Sequence, residues 1–204
     1  DQPCGDGTRP ACEGMLDPHG TLLGEQQRTW LFDGLSGSAA RWNVLAQQVM
    51  MARVDVSPGE DAKYSTDQWP GYEMERRRLL KFFGERPSLN AVLLGGDIHS
   101  NWANELIADF DDLGSRTVAA EFVGTSISSS GDGAPAPRRL DALLSENPFV
   151  KFHNTERGYV RCEVSPKEWR SDFQTVEYVS RPGAPLVTRA TFVLEDGRPG
   201  LNRA

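Results

Sequence analysis

Asn90-Ala91-Val92-Leu93-Leu94-Gly95-Gly96-Asp97-Ile98-His99-Ser100-Asn101-Trp102 decides how the rest of the chain is read. Its opening, Asn90–Gly95, is a short unbroken apolar run that follows a helical pattern, the mark of a strand buried on both faces. Two glycines end the run and deliver Asp97 and His99 at its carboxyl end, where open α/β sheets bind ligands. On extended backbone an i, i+2 pair points to one face, and the glycines would let a ligand approach closely. A carboxylate beside an imidazole suits a divalent or trivalent metal. The alternative is a turn closed by a local hydrogen bond.

Upstream, Tyr72–Gly84 (YEMERRRLLKFFG) is the clearest helix. Met74, Leu79, Leu80, Phe82 and Phe83 share one side, and Gly84 and Pro87 stop it. Its Arg76-Arg77-Arg78 run reads as a solvated face, with one member free to pair with a neighbouring Glu. The preceding Asp67-Gln68-Trp69-Pro70-Gly71-Tyr72 admits two readings: Asp67 is an N-terminal cap, with Pro70 in the first turn, or it turns inward as an oxygen ligand beside Asp97. Further upstream, Glu25–Phe32 reads as a short helix stopped by Gly34 and Gly37, and Trp42–Ala52 as a buried strand. Val54–Gln68 is a polar loop. Helix, strand, helix, strand is thus the order of the first half. Residues 1 to about 22 read as loop, with nothing able to dock as a first strand.

After residue 99 the pattern alternates. Asn104–Phe110 and Thr117–Val123 are expected to form a hairpin. A Ser/Gly/Pro loop covers 126–137, and Arg138–Ser145 is a short helix. Gly158–Val164, Trp169–Val179 and Leu186–Leu194 read as three antiparallel strands. The fold class is therefore α/β with an antiparallel, β-rich second half.

The 204 residues carry 22 Lys+Arg against 29 Asp+Glu, a formal charge of −7. That balance argues against stable nucleic-acid binding, which needs a basic stripe. No apolar stretch approaches the ~20 residues of a membrane span. Three cysteines are too few for a disulfide framework. Cys4 and Cys12 either pair across a short loop, which would suit an oxidising compartment, or stay free. No phosphate-cradling glycine loop and no Gly-x-Ser-x-Gly elbow occurs, so Ser-His-Asp chemistry is unsupported. His19, in a Pro-Gly loop, and His153, between Phe152 and Asn154, read as structural or merely exposed.

Several segments, in order, resemble the PhoD-like alkaline phosphatase/phosphodiesterase family. They are Gly24–Leu31, Trp42–Val49, Asp67–Tyr72 with Arg76, Gly96–Ser100, Glu121–Ser128 and Arg157-Gly158-Tyr159. The resemblance implies the C-terminal half of a four-layer α-β-β-α metallophosphatase sandwich, with residues 1–204 as the C-terminal portion of a single domain. It implies Fe3+ and Ca2+, a phosphate-ester small molecule or lipid or nucleotide as substrate, and attack on phosphorus by metal-bound water or hydroxide. Asp97 and His99 match the family's Gly-Asp-x-His motif as ligands and catalytic groups. Asp67 matches the aspartate of Asp-x-Trp-x-Gly-Tyr as a third ligand; Pro70 stands where an aspartate is frequent and carries no metal role.

Trp69, Tyr72, Trp102 and Ser126 are the candidate walls of a substrate cleft, with core packing or loop capping as their plainer roles. The family's upstream half, with its bridging aspartate, iron-binding Cys and Tyr and Asn-Asp-His segment, has no counterpart in these residues. The expectation is a fragment inactive alone, whose partner is the missing N-terminal half of the same polypeptide. Localisation by resemblance is periplasmic, cell-wall or extracellular, after export by the twin-arginine route. The competing reading is a non-catalytic structural or binding module derived from such an enzyme.

Overall fold

The computed structural model describes residues 2–204; Asp1, the first residue of the expected N-terminal loop, lies outside the described residues. In chain order the elements are β1 (Thr8–Arg9), α1 (Glu25–Ser36), β2 (Asn43–Ala46), β3 (Tyr64–Ser65), α2 (Glu73–Glu85), β4 (Ala91–Gly95), β5 (Asn101–Ile107), β6 (Thr117–Val123), α3 (Leu140–Glu146), β7 (Val150–Asn154), β8 (Arg157–Val164), β9 (Glu168–Val176), β10 (Leu186–Glu195) and β11 (Arg198–Arg203). Short 3-10 turns cover Glu13–Leu16, Trp69–Tyr72 and Pro87–Leu89.

Two sheets make the body. One is five-stranded in the order β2-β4-β6-β5-β7, and the other four-stranded in the order β11-β10-β9-β8. β2, β4 and β6 run parallel, while β5 and β7 are antiparallel. β4 is an interior strand, flanked by β2 and β6 and buried on both faces, as its unbroken apolar run requires. Its Ala91 and Leu93 join a core with Leu79, Leu80, Phe82 and Phe83 of α2 and Leu35 of α1. Its Val92 and Leu94 pack on the opposite side against Trp169, Phe173, Phe192 and Leu194 of the second sheet. The result is a helical layer, a mixed sheet and an antiparallel sheet.

The expected hairpin exists as β5–β6, shifted toward its start, and the three later strands are β8, β9 and β10. Several boundaries move. The strand expected over Trp42–Ala52 stops at Ala46. Gln47 still donates its N–H to the Leu94 carbonyl at 2.9 Å, but Met51 and Ala52 are pinned as buried loop, their N–H groups donating to the Glu121 carboxylate at 2.6 and 3.1 Å. α1 continues through Gly34 to Ser36 and is capped by Gly37. The N-terminal loop does contribute a strand, since β1 pairs with β3. β7 and β11 have no expected counterpart. β7 is short and polar at its end, and β11 holds a Pro, a Gly and three polar residues, so neither carries a clear period-2 pattern.

Arg76 corrects the reading of the arginine run as a solvated face. Its side chain is fully buried, bonded to Glu73 at 2.7 Å and set over the Phe110 ring at 4.4 Å. Arg77 bonds the same carboxylate at 2.7 Å.

Candidate active site at the carboxyl end of β4

β4 ends at Gly95, and residues 96–99 form a tight loop rather than extended backbone. Asp97 has φ +74° and His99 φ +50°, both in the left-handed region. The i, i+2 argument for a shared face therefore does not apply, although both side chains stand exposed at the strand's carboxyl end. Non-glycine residues held at positive φ cost of order 1–3 kcal/mol each and cluster at functional sites. The glycines are not required by crowding: a Cβ on Gly96 would meet its nearest atom at 3.9 Å.

Asp97 and His99 are both tied down from outside the loop. Gln68, 2% exposed, donates from Nε2 to Asp97 Oδ2 at 3.3 Å, while its Oε1 is buried without a partner. His99 Nδ1 shares a hydrogen bond with Ser130 Oγ at 3.0 Å. The His99 carbonyl accepts from Arg157 Nη2 at 2.9 Å. Arg157 also donates from Nη1 to Ser126 Oγ at 2.6 Å and to the Ser129 carbonyl at 2.5 Å, and from Nη2 to the Thr155 carbonyl. One buried guanidinium thus fastens the His99, Ser126–Ser129 and Thr155 loops together.

Asp67 does not cap the following helix. The turn begins at Trp69 with Gln68 in the cap position, and no side chain fills the capping role. Asp67 is half-buried. Trp69 is a core residue, 2% exposed, whose Nε1 donates to Gln47 Oε1 at 2.9 Å. Tyr72 is half-buried at the start of α2, and Ser126 is committed to Arg157 and the Ser129 carbonyl. Of the candidate cleft residues, only Trp102 shares a pocket with His99. That pocket has a volume of about 400 Å³ and is walled on one side by His153, whose ring stacks on Trp102 with centroids 3.6 Å apart. Burial pushes the His153 pKa down to about 4, against a hydrogen bond between Nδ1 and the Asn101 carbonyl at 3.1 Å that raises it.

Sequence reasoning passed over Gln68, His153 and Arg157 as site residues. Gln68 and Arg157 lie inside the resembling segments, and Gly158 shows why Arg157-Gly158-Tyr159 is constrained: a Cβ there would fall 1.9 Å from the Gln174 carbonyl oxygen. His153 carried no signal beyond its flanking residues.

The donors fit a hard metal in kind. Asp97 and Asp67 offer carboxylates, and the Gln68 Oε1 beside Asp97 is an unsatisfied oxygen. In number they fall short, for among the described residues no three or more His, Cys, Asp or Glu gather as a metal-holding group.

A buried strand delivering a carboxylate and an imidazole to the carboxyl edge of a mixed sheet is a framework on which α/β enzymes place their chemistry. The PhoD-like phosphatase family matches residues 1–173, and the chain belongs to that family. It is 42% identical over 203 residues to alkaline phosphatase D of Bacillus subtilis (strain 168). That alignment covers all of this chain and 35% of the relative, so the chain spans about a third of the relative's length. A solved structure described as that of PhoD superposes with a TM-score of 0.94 at 42% identity, covering all of this chain and 39% of that one. Among the described residues no helix is long and apolar enough to cross a membrane.

Proposed function

We propose that this chain is the C-terminal part of a metal-dependent phosphoesterase and carries one side of its active site, hydrolysing phosphomonoesters or phosphodiesters in the family-length polypeptide. The observation that supports this most is the Gly96–His99 loop, strained at two non-glycine residues and presenting both side chains outward at the carboxyl end of β4. Asp97, His99 and Asp67 are the residues that would hold metal, iron and calcium by resemblance. Bound there, the metals would polarise phosphoryl oxygens and lower the pKa of water. Gln68 holds the Asp97 carboxylate in place. His99, braced by Ser130 and Arg157, would hold either a ligand position or the proton delivered to the leaving oxygen. The remaining ligands and the fourth layer of the sandwich belong to the upstream part of the family-length polypeptide, so the chain alone is inactive. The disulfide between Cys4 and Cys12 supports placement in an oxidising, extracytoplasmic compartment.

The test is Asp97→Ala in the family-length enzyme, with turnover of a phosphate ester and bound metal measured together. Both are expected to be lost. An Asp97→Ala enzyme with its metals and turnover intact overturns the reading, and near-normal activity in His99→Asn removes His99 from the site.

A further inference from the structure

We propose that the pocket beside His99 is a subsite for a phosphate-type oxyanion, built around the buried guanidinium of Arg157. The proposal rests on the phosphoesterase reading above and names the residue whose uncompensated charge would attract the substrate's negative charge.

Among the described residues two arginines are buried, Arg76 and Arg157. Arg76 is matched by the Glu73 carboxylate at 2.7 Å. Arg157, 1% exposed, is matched by nothing of opposite charge among the described residues: its four acceptors are the His99, Ser129 and Thr155 carbonyls and the Ser126 hydroxyl. Its Nε–H is buried without any partner in the protein. A buried cation without a counterion is costly to keep, which is why such groups are normally paired. Here the missing charge would come from the pocket that Arg157 lines.

The pocket's composition agrees. No Asp or Glu lines it, although the chain holds 29 of them, and beside Arg157 its polar walls are Ser65, His99, Ser100, Ser130, His153 and Thr155. By contrast, the larger depression of about 680 Å³ beside Arg28 and Arg78 also holds Glu25, and Arg28 already faces Glu75 at 3.9 Å. Arg28 there has carboxylates at hand, although Arg78 donates only to the Pro18 carbonyl at 2.7 Å; the His99 pocket sets Arg157 among no carboxylate at all. The pocket also adjoins the loop that carries Asp97, so an anion in it would sit next to the proposed chemistry.

The experiment uses the 204-residue chain. Imidazole NMR signals of His99 and His153 are followed while inorganic phosphate replaces sodium chloride at constant ionic strength and pH. Saturable shifts of both rings are expected. Arg157→Gln should weaken phosphate binding about tenfold or more, while Arg157→Lys, which keeps the charge, retains most of it. Absence of a saturable response, or an Arg157→Gln chain that binds phosphate like the parent, overturns the proposal. Should Arg157→Gln fail to fold, the parent chain decides alone. Its melting temperature should rise with phosphate over chloride if the folded state binds the anion, and no rise beyond chloride overturns the subsite. Phosphate binding by this chain needs no turnover. Failure here therefore leaves the Asp97 test untouched, and failure of the Asp97 test leaves this one readable.

Discussion

Gln68 donates its side-chain amide to the Asp97 carboxylate at 3.3 Å, so the loop that opens α2 holds the loop that closes β4. The amide is anchored on one side only, because its Oε1 is buried without a partner. Hydrogen bonds to charged groups contribute about 1.5–3 kcal/mol, and the exposed position of Asp97 favours the low end. Gln68→Ala in the family-length enzyme should lower kcat on a phosphate ester about tenfold, with KM little changed, at roughly 1.4 kcal/mol per factor of ten. Gln68→Glu should be worse, since it sets a like charge against Asp97. Steady-state kinetics on the two variants check this, and an unchanged kcat would detach Gln68 from the site.

The buried pair on α2 has an asymmetry that mutation can read. Burial pushes Glu73 up, but Arg76, with Arg77 and Arg53, holds its carboxyl below the usual range. Arg76, in contrast, has Glu73 as its one carboxylate, and burial draws its pKa down despite that partner. Removing Arg76 leaves Glu73 two further guanidinium partners, at 2.7 and 3.5 Å. Removing Glu73 strands Arg76 over the Phe110 ring. Breaking a buried pair costs about 3–5 kcal/mol, so Arg76→Ala should fall near the lower figure and Glu73→Ala near the upper. The double variant should lose less than the sum. Urea denaturation of the three variants measures the order, and Arg76→Ala proving the worse would refute it.

β4, the two glycines after it and the place of Asp97 and His99 at its carboxyl end were legible because a buried parallel strand writes an unbroken apolar run, and the end of that run marks the candidate site. α2 was legible through its stripe of Leu79, Leu80, Phe82 and Phe83. What escaped reading depends on contacts between distant segments. Arg76 is indistinguishable in sequence from Arg77 and Arg78, and only the position of Phe110 and Glu73 buries it. Met51 and Ala52 looked like strand because they are apolar, yet their N–H groups are satisfied by a carboxylate about seventy residues away. Arg157 stood in plain view within its motif, but its role is set by three loops that the chain order does not reveal as neighbours.

Gly71 belongs to the same class of hidden constraint. A Cβ at this position would fall 1.8 Å from the Thr66 carbonyl oxygen, and Thr66 is itself fixed, donating from Oγ1 to the Gly5 and Gly7 carbonyls at 2.8 and 3.0 Å. The clash is with backbone, so no rotamer change relieves it. Gly71→Ala should destabilise the chain at or above the upper end of the 1–3 kcal/mol typical of overpacking, about 3 kcal/mol. It should also displace Gln68 from Asp97. A melting temperature within about 2 °C of the parent, the shift expected for well under 1 kcal/mol in a chain of this size, would show that the loop yields.

His153 makes the chain's stability depend on pH in a defined window. Burial against Trp102 holds its folded pKa at about 4, below the 6.5 of an ordinary imidazole. The folded state therefore binds fewer protons than the unfolded state between these values. Its contribution is complete above pH 6.5 and is lost progressively as the pH falls toward 4, reaching about 3 kcal/mol at 1.36 kcal/mol per pKa unit. Carboxylates held below their usual range, Glu73 and Asp172 among them, add acid sensitivity at lower pH, so the His153 component must be isolated by substitution. Denaturation measured from pH 7 to pH 4 should show a falling stability in the parent and a flatter profile in His153→Gln, which keeps a polar group against the Asn101 carbonyl but cannot charge. Parallel profiles for the two proteins would mean that His153 takes up its proton without cost in the folded chain.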